Sequence, residues 1–137
     1  MSKKYILELT EAQLRTIAEA LEFFSRFSAG QFHHLPPSFE RFLWETHEID
    51  ELIRKREIWE GALNQAKVAM FDMHPNASLG IGNEKLTEEA KIAYDIYRPI
   101  LELFAKEYKE KHPENTSYSV YDHPGISYSK EGRVIIK

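Results

Sequence analysis

The sequence predicts one α+β domain spanning residues 1–137, with three to four helices beside a small, mainly antiparallel sheet. Three observations predict it. Long segments carry apolar residues at helical spacing behind recognisable N-terminal caps. Both ends of the chain alternate apolar and polar residues as strands do. No internal repeat and no low-complexity linker divides the 137 residues, a length that suits a single core.

In chain order, Lys4-Tyr5-Ile6-Leu7-Glu8-Leu9 puts Tyr5, Leu7 and Leu9 on one face of a short strand. Thr10-Glu11-Ala12-Gln13 is a capping box, and the helix after it turns Leu14, Ile17, Ala18, Leu21 and Phe24 inward. Arg15, Glu19, Glu22 and Arg26 fall largely on its outer side, and Gly30 stops it. Pro36-Pro37 breaks the chain, and Ser38 is placed to cap a short helix through Phe39, Phe42 and Leu43. From Thr46 to Phe71 a longer pattern runs through Ile49, Leu52, Ile53, Trp59, Leu63, Ala66 and Met70, interrupted by Gly61. After a loop over residues 74–86, Thr87 caps a helix that is apolar on two sides and so expected between neighbours. Pro99 deprives the Asp95 carbonyl of its usual donor, but the apolar stripes continue in phase, which predicts a bend and not an end. Tyr118/Val120, Ile126/Tyr128 and Val134–Ile136 then read as strands, separated by turns at His123-Pro124-Gly125 and Lys130-Glu131-Gly132.

Composition narrows the chemistry. There is no cysteine, which excludes disulfides and thiolate catalysis. No apolar run follows Lys3-Lys4 and none reaches the length of a membrane span, so the expectation is a cytoplasmic protein with no membrane partner. A net charge of -4 argues against broad nucleic-acid binding. His47-Glu48-Ile49-Asp50-Glu51 starts like a zincin helix, but Glu51 stands where the second His belongs, and no metal or cofactor is expected. The acidic pairs Asp50/Glu51 and Glu88/Glu89 lie at helix starts, where capping accounts for them, and no catalytic residue is expected.

Two features suit a phosphorylated ligand instead. Arg54-Lys55-Arg56 is the one dense basic cluster, and arginine can grip phosphate with two N–H groups, so Arg54 and Arg56 are candidate clamps. The loop Asn76-Ala77-Ser78-Leu79-Gly80-Ile81-Gly82-Asn83 precedes a helix start, where backbone amides favour an anion. Gly80 and Gly82 are expected to fold the loop closely over that start. Asn76, Ser78 and Asn83 would then face Lys91, Tyr94 and Arg98 on the helix behind, with Asp95 orienting the two cations. The plain alternative is a connecting loop whose Asn and Ser side chains cap its own turns.

The stretches "LTEAQLRTIAEALEFFSRFSAGQF" and "NASLGIGNEKLTEEAKIAYDIYRPI" resemble small phage and prophage proteins of unassigned function. The shared residues include Arg26, Gly30, Gln31, Asn76, Ser78, Gly80, Ile81, Lys91, Tyr94 and Asp95, which adds Arg26 and Gln31 to the candidate ligand set. The resemblance implies a phage setting, and small phage proteins of this kind often act against host defence. The expectation is therefore a non-enzymatic anti-defence protein that sequesters a small phosphorylated ligand, such as a cyclic nucleotide signal. A protein-directed adaptor or inhibitor, or a small nucleotide hydrolase, are the rival readings. The aromatic content of 12% and the two-sided helix also predict a homo-oligomer.

Overall fold

The computed structural model describes residues 2–137. Four helices follow in order: α1 Glu11–Ser28, α2 Pro37–Thr46, α3 Ile49–Phe71 and α4 Glu88–Lys111, with a single 3-10 turn at Val120–Asp122. The framework is the pair α1 and α4, which run antiparallel. The Arg15 guanidinium lies 4.0 Å over the Phe104 ring at one end, and Ala29 packs with Leu86 and Ala90 at the other. Between these ends Ala18, Tyr97 and Ile100 are buried, flanked by Leu14, Ile17, Leu21 and Leu101.

The caps act locally, as the sequence says. Thr10 accepts from the Gln13 amide at 3.2 Å while the Gln13 side chain accepts from the Thr10 amide at 2.9 Å. Gly30 takes φ +81° at the end of α1, a conformation open to glycine. α4 runs unbroken through Pro99. The Asp95 carbonyl, which Pro99 cannot serve, accepts instead from the Val134 amide at 3.2 Å. Some local expectations fail. α2 starts at Pro37 behind Pro36, and Ser38, expected as its cap, donates to Glu19 Oε2 at 2.6 Å. Phe24, Ile49, Ile53 and Met70, all expected inward, are exposed.

The expected sheet is absent, and the fold is helical, not α+β. None of residues 2–137 lies in a strand. Residues 2–10 are exposed throughout and form no ladder. A strand exists only with a neighbour for its N–H and C=O groups, and in the C-terminal stretch α4 takes those groups. Glu88, Asp95 and Glu102 stand seven residues apart on one face of α4 and accept from the tail's backbone. The Lys130 amide donates to Glu88 at 2.6 Å, the Tyr128 and Ser129 amides to Asp95 at 3.0 and 2.8 Å, and the Gly125 amide to Glu102 at 2.6 Å. One heptad further on, Lys109 reaches Asp122 at 2.6 Å. With its donors pinned to a helix, residues 118–137 lie as an irregular strap along α4. The two-sided apolar pattern of α4 follows: α1 covers one side and the strap the other.

Candidate functional site

The α1 end, the loop and α4 meet around a cavity of about 190 Å³, lined by Ser25, Arg26, Ala29, Gln31, Leu79, Ile81, Tyr94 and Tyr97. Its position follows from the local fold. Gly30 reverses the chain so that Gln31 comes back beside Arg26, with the Gln31 amide donating to the Arg26 carbonyl at 2.8 Å. The loop is tied to the same corner by the Leu79 amide, which donates to the Ala29 carbonyl at 2.8 Å. Lys67, 3% exposed on α3, steadies the loop's beginning by donating to the Pro75 carbonyl at 2.8 Å.

Arg26 is the cation of the cavity. Its Nε donates to Glu22 at 3.0 Å and its Nη1 to Gln31 Oε1 at 2.7 Å, so the side chain is held in one pose. Among the described residues no acceptor bonds its Nη2. Such a guanidinium, fixed before anything binds, can direct its remaining N–H groups at an anion. Two phenols, Tyr97 and Tyr94, line the same cavity and add neutral donors. Burial pushes both Tyr97 and Tyr94 above the usual phenol range, so both stay protonated at neutral pH. Their rings meet edge to face at 5.3 Å, and Tyr94 also meets Tyr128 of the strap at 5.4 Å. His34 sits 3.4 Å from Glu22. Burial, then the nearby Arg26 charge, pushes its imidazole below the usual range and favours the neutral form.

No family model, curated protein or solved structure matches the chain. The site is read from its own residues. Of the candidate ligand residues, the structure brings together Arg26, Gln31 and Tyr94. Asn76 and Ser78 do not line the cavity and are exposed, while the loop residues that do line it are Leu79 and Ile81. Asn83 caps its own turn by accepting from the Lys85 amide at 2.8 Å. Gly80 and Gly82 take no positive φ, so the loop's course does not need their special conformations. Lys91 is half-buried on α4 outside the lining.

Arg98 is engaged with the strap: it bonds Glu102 at 3.2 Å and the Val120 carbonyl at 2.7 Å, and lies 4.5 Å over the Tyr121 ring. Asp95 orients neither Lys91 nor Arg98, because its carboxylate is spent on Ser127, Tyr128 and Ser129. Arg54 and Arg56 stand on α3 outside the cavity, Arg56 paired with Glu60 at 2.9 Å.

Sequence reasoning missed Ser25, Ala29, Leu79 and Ile81 as lining residues. Tyr97 was legible as an inward residue of α4, three positions from Tyr94. Leu79 and Ile81 alternate with the glycines, a signal for the loop's inner side that the polar residues drew attention from. Among the described residues, no group of three or more His, Asp or Glu side chains gathers at metal-binding spacing, and no helix is long and apolar enough to cross a membrane.

Proposed function

We propose that the protein is a non-enzymatic binding protein that retains a small phosphorylated ligand, with nucleotide signals as the first class to examine. The observation that carries this reading is the posed guanidinium of Arg26, with an unbonded Nη2, in one cavity with the Tyr97 and Tyr94 phenols. These groups offer hydrogen bonds and ring faces: N–H and O–H for phosphate oxygens, and the Tyr94 ring for a base or sugar. The size of the cavity sets the geometry of binding. At about 190 Å³ it is smaller than the roughly 300 Å³ at which pockets begin to enclose drug-sized ligands. A phosphate or phosphoribose end fits, while the rest of a nucleotide would lie outside against the loop and strap. In the phage setting that the sequence resembles, retention would withdraw a host defence signal from its receptor.

The test is retention of cyclic mono- and dinucleotides by the purified protein, followed by heat denaturation and chromatography of what is released. Recovery of intact nucleotide, abolished by Arg26→Ala in a folded variant, is the expected result. Release of an altered nucleotide would make the protein a hydrolase. Retention of none would overturn the reading in favour of a protein-directed inhibitor.

A further inference from the structure

Apart from residues 2–10 and the strap, the α2–α3 hairpin carries the helical apolar surface that the fold leaves uncovered. Ile49, Leu52, Ile53, Trp59 and Leu63 share one side of α3 at helical spacing. Towards the helix end that side is used: Phe71 meets Phe32 edge to face at 5.7 Å, and Lys67 is buried against the loop. Towards its start the cover is missing. Leu52 is buried, but Ile49 and Ile53 are 58% and 53% exposed. On α2, Phe39 and Phe42 stack on one another at 6.0 Å and are also about half exposed, as is Trp44.

Neither α1 nor α4 packs along α3, whose helical neighbour is the short α2. α3 is a 23-residue helix interrupted by Gly61, and helices in water depend mainly on packing of an apolar face. In a single copy the first half of α3 therefore keeps part of its apolar face in water.

The total exposed area is large enough to include such a surface. A compact folded monomer of 16.1 kDa exposes roughly 7,400 Å² by the mass scaling of globular proteins, whereas this chain exposes 10187 Å². The excess, roughly 2,800 Å², matches in scale what each partner of a large, stable two-copy interface buries, about 1,000–2,500 Å². The extended segment at residues 2–10 and the strap contribute the remainder.

The hairpin's charges are of both signs and partly paired on the helix itself, Lys55 with Glu51 at 3.0 Å and Arg56 with Glu60 at 2.9 Å. It has no single-sign field to repel its own copy, as self-association about a two-fold axis requires. We infer that the hairpin is a homodimer surface, in which two copies pack the Phe39–Phe42 and Ile49–Ile53 faces against one another.

This inference is independent of what the Arg26 cavity binds, and its test does not read ligand. Light scattering at micromolar concentration should give twice the 16.1 kDa chain mass. The variant Phe42→Glu with Ile53→Glu should halve that mass and keep its helical circular dichroism. Because that variant can fail to fold, a second experiment uses the absence of cysteine in the sequence. Ile53→Cys treated with a short bis-maleimide should give linked dimers, and Ala20→Cys, exposed on α1, should give none. A monomeric mass for the unaltered chain overturns the inference and leaves the hairpin for a different protein. A glutamate variant that stays dimeric, or equal linking at both cysteines, places the interface elsewhere and also overturns it.

Discussion

Asp95 is 1% exposed and accepts from the Ser127 hydroxyl, the Tyr128 amide, and both the amide and the hydroxyl of Ser129. Burial by itself would raise its carboxyl, but those donors outweigh burial and hold it below the usual carboxylate range. Glu102 follows the same pattern, with burial raising it and Gly125, Arg133 and Arg98 together pulling it down. A carboxylate whose pKa is lower folded than unfolded stabilises the fold above its unfolded pKa and loses that contribution as pH falls through the folded one. The strap should therefore be held fully above about pH 5 and loosen below the ordinary carboxylate range near pH 4. Asp95→Asn turns an NH2 group towards donors and is expected to cost about 1–3 kcal/mol in denaturant unfolding at pH 7. The same variant should flatten the acid limb of the stability–pH curve. An unchanged acid limb would show that the strap's hold does not depend on this charge.

At the scale of elements, Pro99 and Gly61 make opposite predictions about two long helices. Pro99 leaves the Asp95 carbonyl to the Val134 amide. Pro99→Ala restores a helical donor to that carbonyl, and the strap's bond must then share it. Amide exchange at Val134 is expected to quicken by up to about tenfold, the equivalent of the 0.5–1.5 kcal/mol a typical hydrogen bond contributes. Gly61 lies inside α3, and a Cβ built there meets nothing within 4 Å. Gly61→Ala should therefore stabilise the protein by about 0.5–1 kcal/mol, read as a higher midpoint in urea. A lower midpoint would reveal a close neighbour on that side of the helix.

For the whole molecule, a ligand that fits the Arg26 cavity must raise thermal stability by mass action. At about one hundred times its Kd the gain is about 2.7 kcal/mol, several degrees for a chain of this size, and Arg26→Ala should abolish it. How much of this could be seen in the sequence depends on range. Thr10, Gly30 and Thr87 mark helix limits through bonds to residues three or four away, so the helices were legible. The alternation in residues 118–136 was also legible, but alternation does not say what the amides bind. Their acceptors, Glu88, Asp95 and Glu102, lie more than twenty residues back in the chain and read locally as a cap residue and helix-surface acids. The cavity was half legible for the same reason. Arg26, Gln31 and Tyr94 stand on or beside regular helices, whereas the loop's orientation, set by the Leu79 bond to Ala29, reversed which of its residues face in.

The strap also fixes an order of events in synthesis. Asp95 is synthesised 32 to 34 residues before the serines and the tyrosine amide that surround it. At about 5–20 residues per second, that is an interval of roughly two to seven seconds. During it α4 carries hydrated carboxylates along one side and an unserved carbonyl above Pro99. α1 precedes α4 in the chain, so both helices of the pair are synthesised before the strap's donors. A chain shortened to residue 126 would present the α1–α4 pair with Glu88 and Asp95 hydrated and the Asp95 carbonyl without its Val134 donor.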